Sequence, residues 1–127
     1  MMSLSALLND KERLELAFYG KLQTGGFARP HEYYCFFGLA QNDLLVVNFS
    51  PLFCKNGFAI RIPLCINQVK IKKGLIGNKY YFNFRLNNTE TSPLEKFKIV
   101  VNINHSKINT QKENVELFLA YIEKRTQ

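Results

Sequence analysis

The chain has no tryptophan, and its 127 residues include only three cysteines, four prolines, seven glycines, two histidines and two methionines. Cys35, Cys54 and Cys65 form no CxxC pair, so neither a disulfide framework nor a zinc ribbon is met. Adding His31 and His105 brings no close ligand pair, and no metal or other cofactor is expected. Glycine and proline without a period exclude a collagen-like or low-complexity chain. No apolar run approaches the roughly 20 residues that span a bilayer as a helix. The opening residues from Met1 to Leu8 lack a basic region and read poorly as a signal peptide, so a cytoplasmic protein with reduced thiols is expected. Carboxylates are also scarce: 10 Asp+Glu stand against 17 Lys+Arg, a net charge of +7.

What remains is a globular composition. Apolar residues make up 46% and charged residues 21%, with six tyrosines and eleven phenylalanines. One domain spanning residues 1–127 fits this length, and such a chain buries enough surface to fold without staples. The charge is uneven. Up to Cys54 there are four basic and five acidic residues; from Lys55 onward there are thirteen basic and five acidic. A positive field in the second part favours anionic partners: lipid headgroups, nucleic acid or acidic protein.

Periodicity orders the elements. Leu4, Leu7 and Leu8 fall on one helical stripe, predicting a short helix from Ser3 to about Glu12. Leu14, Leu16, Phe18 and Leu22 then alternate with Glu15, Ala17, Tyr19 and Lys21, which predicts a strand. Further strands are predicted over about Glu32–Ala40, Leu44–Phe49, Phe58–Ile62, Gln68–Lys72, Lys79–Leu86 and Phe97–Ile103, separated by Gly, Asn, Asp and Pro turns. In the sixth, Tyr80, Phe82, Phe84 and Leu86 share one face and Tyr81, Asn83 and Arg85 the other. The period returns to helical at the end. Thr110 and Glu113 have capping-box spacing, Val115, Phe118, Leu119 and Ile122 form a stripe, and Lys124 and Arg125 oppose the negative end of the dipole. Seven antiparallel strands leave an open core unless the sheet curls, and this helix is the expected plug, with Phe118 as stopper.

The stretch Gly38-Leu39-Ala40-Gln41-Asn42-Asp43-Leu44-Leu45-Val46 is similar to an LTxxRLLV hairpin, and Ile62 to Gly74 is similar to an IPYxxIxxVxxKKG segment. In this order, followed by the terminal helix, they resemble the small bacterial pleckstrin-homology-like (PH-like, GRAM-like) domains, from about Leu14 to Lys124. The resemblance implies a mainly β fold: seven antiparallel strands curled into a partly open barrel, capped by the C-terminal α-helix. It also implies a module that is usually non-catalytic and binds lipid headgroups, peptides or proteins. Asp43 departs from the family, where that position is often basic. The phosphoinositide motif is not carried over, because the first loop offers only Lys21 and Arg29.

The strongest local signal is a basic hairpin, Lys70, Lys72, Lys73 and Lys79 around the apolar pair Leu75-Ile76, with Arg85 further along. Lysines near an anionic bilayer each contribute about 1 kcal/mol, and an apolar tip can enter the interface. Such a protein would be peripheral to the membrane. The bland alternative is that lysines keep an edge strand from aggregating. The module is expected to engage an anionic surface or a protein partner through this hairpin; homo-oligomeric assembly through sheet edges is the alternative function. The same lysines with Tyr81, Asn83 and Arg85 suit a nucleic acid, but no RNP-like motif, helix-turn-helix or zinc finger is present, so that partner is not expected. No enzyme is expected: His31 and His105 lie in predicted loops, Cys35 lies in an aromatic run rather than an electropositive site, and the P-loop order is absent.

Overall fold

The computed structural model describes residues 4, 8, 13–25, 31–48, 58–64, 68–74, 78–85, 96–103 and 110–125. Seven strands and one helix follow in order: β1 Leu16–Thr24, β2 His31–Ala40, β3 Asp43–Asn48, β4 Ala59–Pro63, β5 Gln68–Lys73, β6 Lys79–Arg85, β7 Lys96–Asn102 and α1 Gln111–Arg125. They form one antiparallel sheet in the order β4-β3-β2-β1-β7-β6-β5, which is open, with β4 and β5 at its edges. The predicted strands all recur. The N-terminal helix over residues 3–12 lies outside the described residues, apart from the half-buried Leu4 and Leu8.

Alternation makes the sheet two-faced. Leu16, Phe18 and Leu22 of β1 share the core face with Cys35, Phe37 and Leu39 of β2, Phe82 and Phe84 of β6, and Phe97, Ile99 and Val101 of β7. Ile62 at one edge and the half-buried Val69 and Ile71 at the other belong to the same cluster. Seven strands laid flat would span about 29 Å, whereas a helix with its side chains is about 10 Å wide. One helix seals this face only if the sheet bends around it. Phe118 shows the bend directly. Its ring lies 4.9 Å from that of Phe18 on β1, and 5.2 and 6.4 Å from those of Phe82 and Phe84 on β6. Val115, Phe118 and Ile122 are fully buried and Leu119 half-buried, so the expected stripe is the one that seals the core.

Glycine permits the bend where strands cross closely. A Cβ on Gly20 would come within 2.8 Å of the Val100 carbonyl oxygen, so this core-face position of β1 admits no side chain without a shift of β7. The β1–β7 ladder covers only Lys21, Leu22 and Gln23. Beyond it, the fully buried Gln111 at the start of α1 replaces the missing strand. Its Oε1 accepts from the Tyr19 backbone N–H (2.9 Å), and its Nε2 donates to the carbonyls of Tyr19 (2.7 Å) and Asn102 (3.1 Å). Asn114 Nδ2 donates to the Ala17 carbonyl at 2.6 Å. Two side-chain amides thus complete the polar edge of β1 where the sheet parts.

Two expectations are corrected. The first strand starts at Leu16, and Leu14 packs on the outer side of β2, where its Cδ1 lies 2.6 Å from the position a Gly38 Cβ would take. Period-two reading carried Leu14 onto the core face because nothing local marks the change. The turn between β2 and β3 is only Gln41-Asn42, with φ of 48° and 69°, the left-handed pair that a two-residue hairpin requires. Asp43 therefore belongs to β3, where its Oδ2 accepts from Arg61 Nε at 2.6 Å. The acidic residue at this position holds β4.

Candidate basic surface on the outer face

The two edges of the β5–β6 hairpin register as Gln68↔Arg85, Lys70↔Asn83, Lys72↔Tyr81 and Lys73↔Tyr80. Val69 and Ile71 turn to the core, so Lys70 and Lys72 turn outward beside Tyr81, Asn83 and Arg85. Lys79 has the same parity as Tyr81 and lies opposite Asn102. The register therefore brings Lys70, Lys72, Lys79 and Arg85 onto one outer face, all exposed. Lys73, opposite Tyr80, is exposed on the other side of the ribbon, at its end. Leu75 and Ile76 lie outside the described residues. The hairpin closes through a Gly74 N–H to Lys79 carbonyl bond of 2.8 Å.

β7 adds two cations that the sequence reading did not assign to this surface. Lys98 lies opposite Asn83 and Lys96 opposite Arg85. Lys98 Nζ sits 5.0 Å from the centre of the Tyr81 ring, a cation–π contact that fixes both side chains. Period-two alternation places Lys96 and Lys98 away from Phe97 and Ile99, so their outward direction was available; strand order, which makes β7 the neighbour of β6, was not.

The rows continue across the sheet. One runs Lys70–Asn83–Lys98–Gln23–Glu32 from β5 to β2. The next runs Lys72–Tyr81–Val100–Lys21–Tyr34. β5, β6 and β7 together carry seven Lys or Arg residues and no Asp or Glu. Glu32, at the far end of its row, is already engaged by Lys21 Nζ at 3.2 Å and Gln23 Nε2 at 2.8 Å. The positive field is thus concentrated on β5–β7 and neutralised on β2.

The residues considered for chemistry are dispersed. His31 opens β2 opposite Thr24 and is exposed, rather than lying in a loop. Cys35 is four residues further along the same strand, about 13 Å away at 3.3 Å per residue, so they form no dyad. Cys35 is fully buried, and burial pushes its thiol up to about 12. Burial also raises the phenol of Tyr19, reinforced by neighbouring Tyr34 and Cys35. His105, Cys54 and Cys65 lie outside the described residues. Among the described residues no three His, Cys, Asp or Glu side chains group as metal ligands, and no helix is long and apolar enough to cross a membrane. Compared with known proteins, the chain matches no family model, no curated protein and no solved structure.

Proposed function

We propose that this chain is a non-catalytic, pleckstrin-homology-like binding module that docks on an anionic membrane surface through the outer face of β5, β6 and β7. The strand order, the helix after the last strand and the placement of the two resembling segments on β2–β3 and β4–β5 support the family reading. The observation that carries the binding reading is the charge of this face: Lys70, Lys72, Lys79, Arg85, Lys96 and Lys98 project from three adjacent strands that contain no carboxylate. Strands about 4.8 Å apart spread these charges over a broad surface, which suits a bilayer better than a point-like ligand. The cytoplasmic leaflet supplies the complementary field, and a protein held there is peripheral.

Vesicle sedimentation tests this. The wild-type chain is expected to pellet with vesicles containing phosphatidylserine and to stay in the supernatant with purely zwitterionic ones. Reversing the outer-face Lys70, Lys72, Lys79 and Lys96 to Glu removes at least about 4 kcal/mol of attraction at about 1 kcal/mol per lysine, so binding should fall by a factor of several hundred or more. All four side chains are exposed, and the melting temperature should barely move. Wild-type protein that ignores anionic vesicles ends the proposal.

A further inference from the structure

The outer face does not stop at the basic strands. Its Lys72–Tyr81–Val100–Lys21–Tyr34 row holds two tyrosines, and each has a lysine ammonium over its ring: Lys98 at 5.0 Å from the Tyr81 centre and Lys21 at 5.6 Å from that of Tyr34. Tyr34 is 51% exposed, the largest exposed aromatic side chain among the described residues. On the same face Tyr19 lies diagonally beside it, the two rings nearly parallel at 9° with centroids 6.4 Å apart. From β6 to β2 is three strand spacings, roughly 14 Å. That separation suits two bases of one extended strand with intervening nucleotides bridging Val100 and Lys21. The adjacent row supplies Lys70 and Lys98 at the same end.

We propose that this open sheet face binds a short single-stranded nucleic acid, with bases on Tyr81 and Tyr34 and phosphates on Lys70, Lys72 and Lys98. Every base has a π face, so a tyrosine platform accepts a strand without needing a sequence motif, and the Lys98 ammonium over Tyr81 is placed to meet a phosphate when a base takes that ring. A duplex hides its base faces and gains only the charge. The inference shares Lys70, Lys72 and Lys98 with the membrane reading but rests on the two tyrosines, which that reading does not use. It also reverses the expectation drawn from missing motifs. The pairing of Tyr81 and Tyr34 in one row depends on β1 lying between β2 and β7, which local sequence does not encode.

Fluorescence anisotropy with a labelled 12-residue oligothymidine tests it, alongside a duplex of equal length and inorganic polyphosphate as a charge-only competitor. The single strand should bind more tightly than the duplex and quench the intrinsic tyrosine fluorescence, which no tryptophan obscures. Tyr34→Leu and Tyr81→Leu should each weaken binding roughly tenfold without changing the salt slope, while Tyr34→Phe and Tyr81→Phe retain it. Equal binding of duplex and single strand, with no quenching and no loss in the Leu variants, means charge alone and overturns the proposal. No oligonucleotide binding by protein that still pellets with anionic vesicles overturns it too, and leaves the membrane reading standing. Quenching in the wild-type protein is decisive even where a Leu variant fails to fold.

Discussion

Single residues hold this molecule shut. Phe118 meets rings from β1 and β6 at once, so it is the contact through which the two halves of the sheet share an interior. Phe118→Asp buries an unpaired carboxylate and should cost several kcal/mol, seen as loss of the cooperative melting transition; an unchanged melting temperature would mean that α1 is no plug. Gln111 acts differently. Gln111→Leu preserves bulk but removes the three hydrogen bonds to the Tyr19 N–H and to the Tyr19 and Asn102 carbonyls, and should destabilise by about 2–4 kcal/mol in urea titrations. Cys35 sets a pH dependence. Its folded value, raised to about 12, lies above that of an unfolded thiol near 8.5, so the folded state holds the proton longer. Its contribution is fully present below about pH 8.5 and is lost as pH rises toward 12. Native protein at neutral pH should accordingly resist thiol reagents at Cys35 until it is unfolded, as mass spectrometry of the modified residue would show.

At the scale of elements, most of the architecture was legible. Val69/Ile71 against Lys70/Lys72, and Phe82/Phe84 against Tyr81/Asn83, are clean period-two signals, and the structure places them on opposite faces as expected. The Val115, Phe118, Ile122 stripe was equally plain because helical period and burial coincide. Signals that depend on partners far along the chain were not legible. Gln111 reads as an ordinary first-turn polar residue until Tyr19, 92 positions away, is placed beside it. Leu14 continued the alternation of β1 although it belongs to the other face, covering Gly38. Gly20 did carry a hint, since glycine within an alternating strand often marks a close backbone approach. The candidate surface was half legible: the β5–β6 hairpin supplied its lysines locally, whereas Lys96, Lys98 and the Tyr34 end of the row entered only through strand order.

On the whole molecule, folding sorts charge as well as grease. The core takes the phenylalanines of four strands and α1, and the basic excess of the second part of the chain emerges on the outer face of β5–β7. Two carboxylates of the first part are engaged across neighbouring strands, Glu32 by Lys21 and Asp43 by Arg61. The consequence is a polarised molecule: on the proposed reading its encounter with an anionic surface should be steered in one orientation, and its binding should weaken as salt screens the face. Lysine-selective acetylation read by mass spectrometry, with and without phosphatidylserine vesicles, tests this orientation directly. Lys70, Lys72, Lys79 and Lys96 should be protected by the vesicles, while Lys112 and Lys124 on α1 should label at unchanged rates. Protection centred on α1, or spread evenly over all exposed lysines, would contradict the assignment of the binding face.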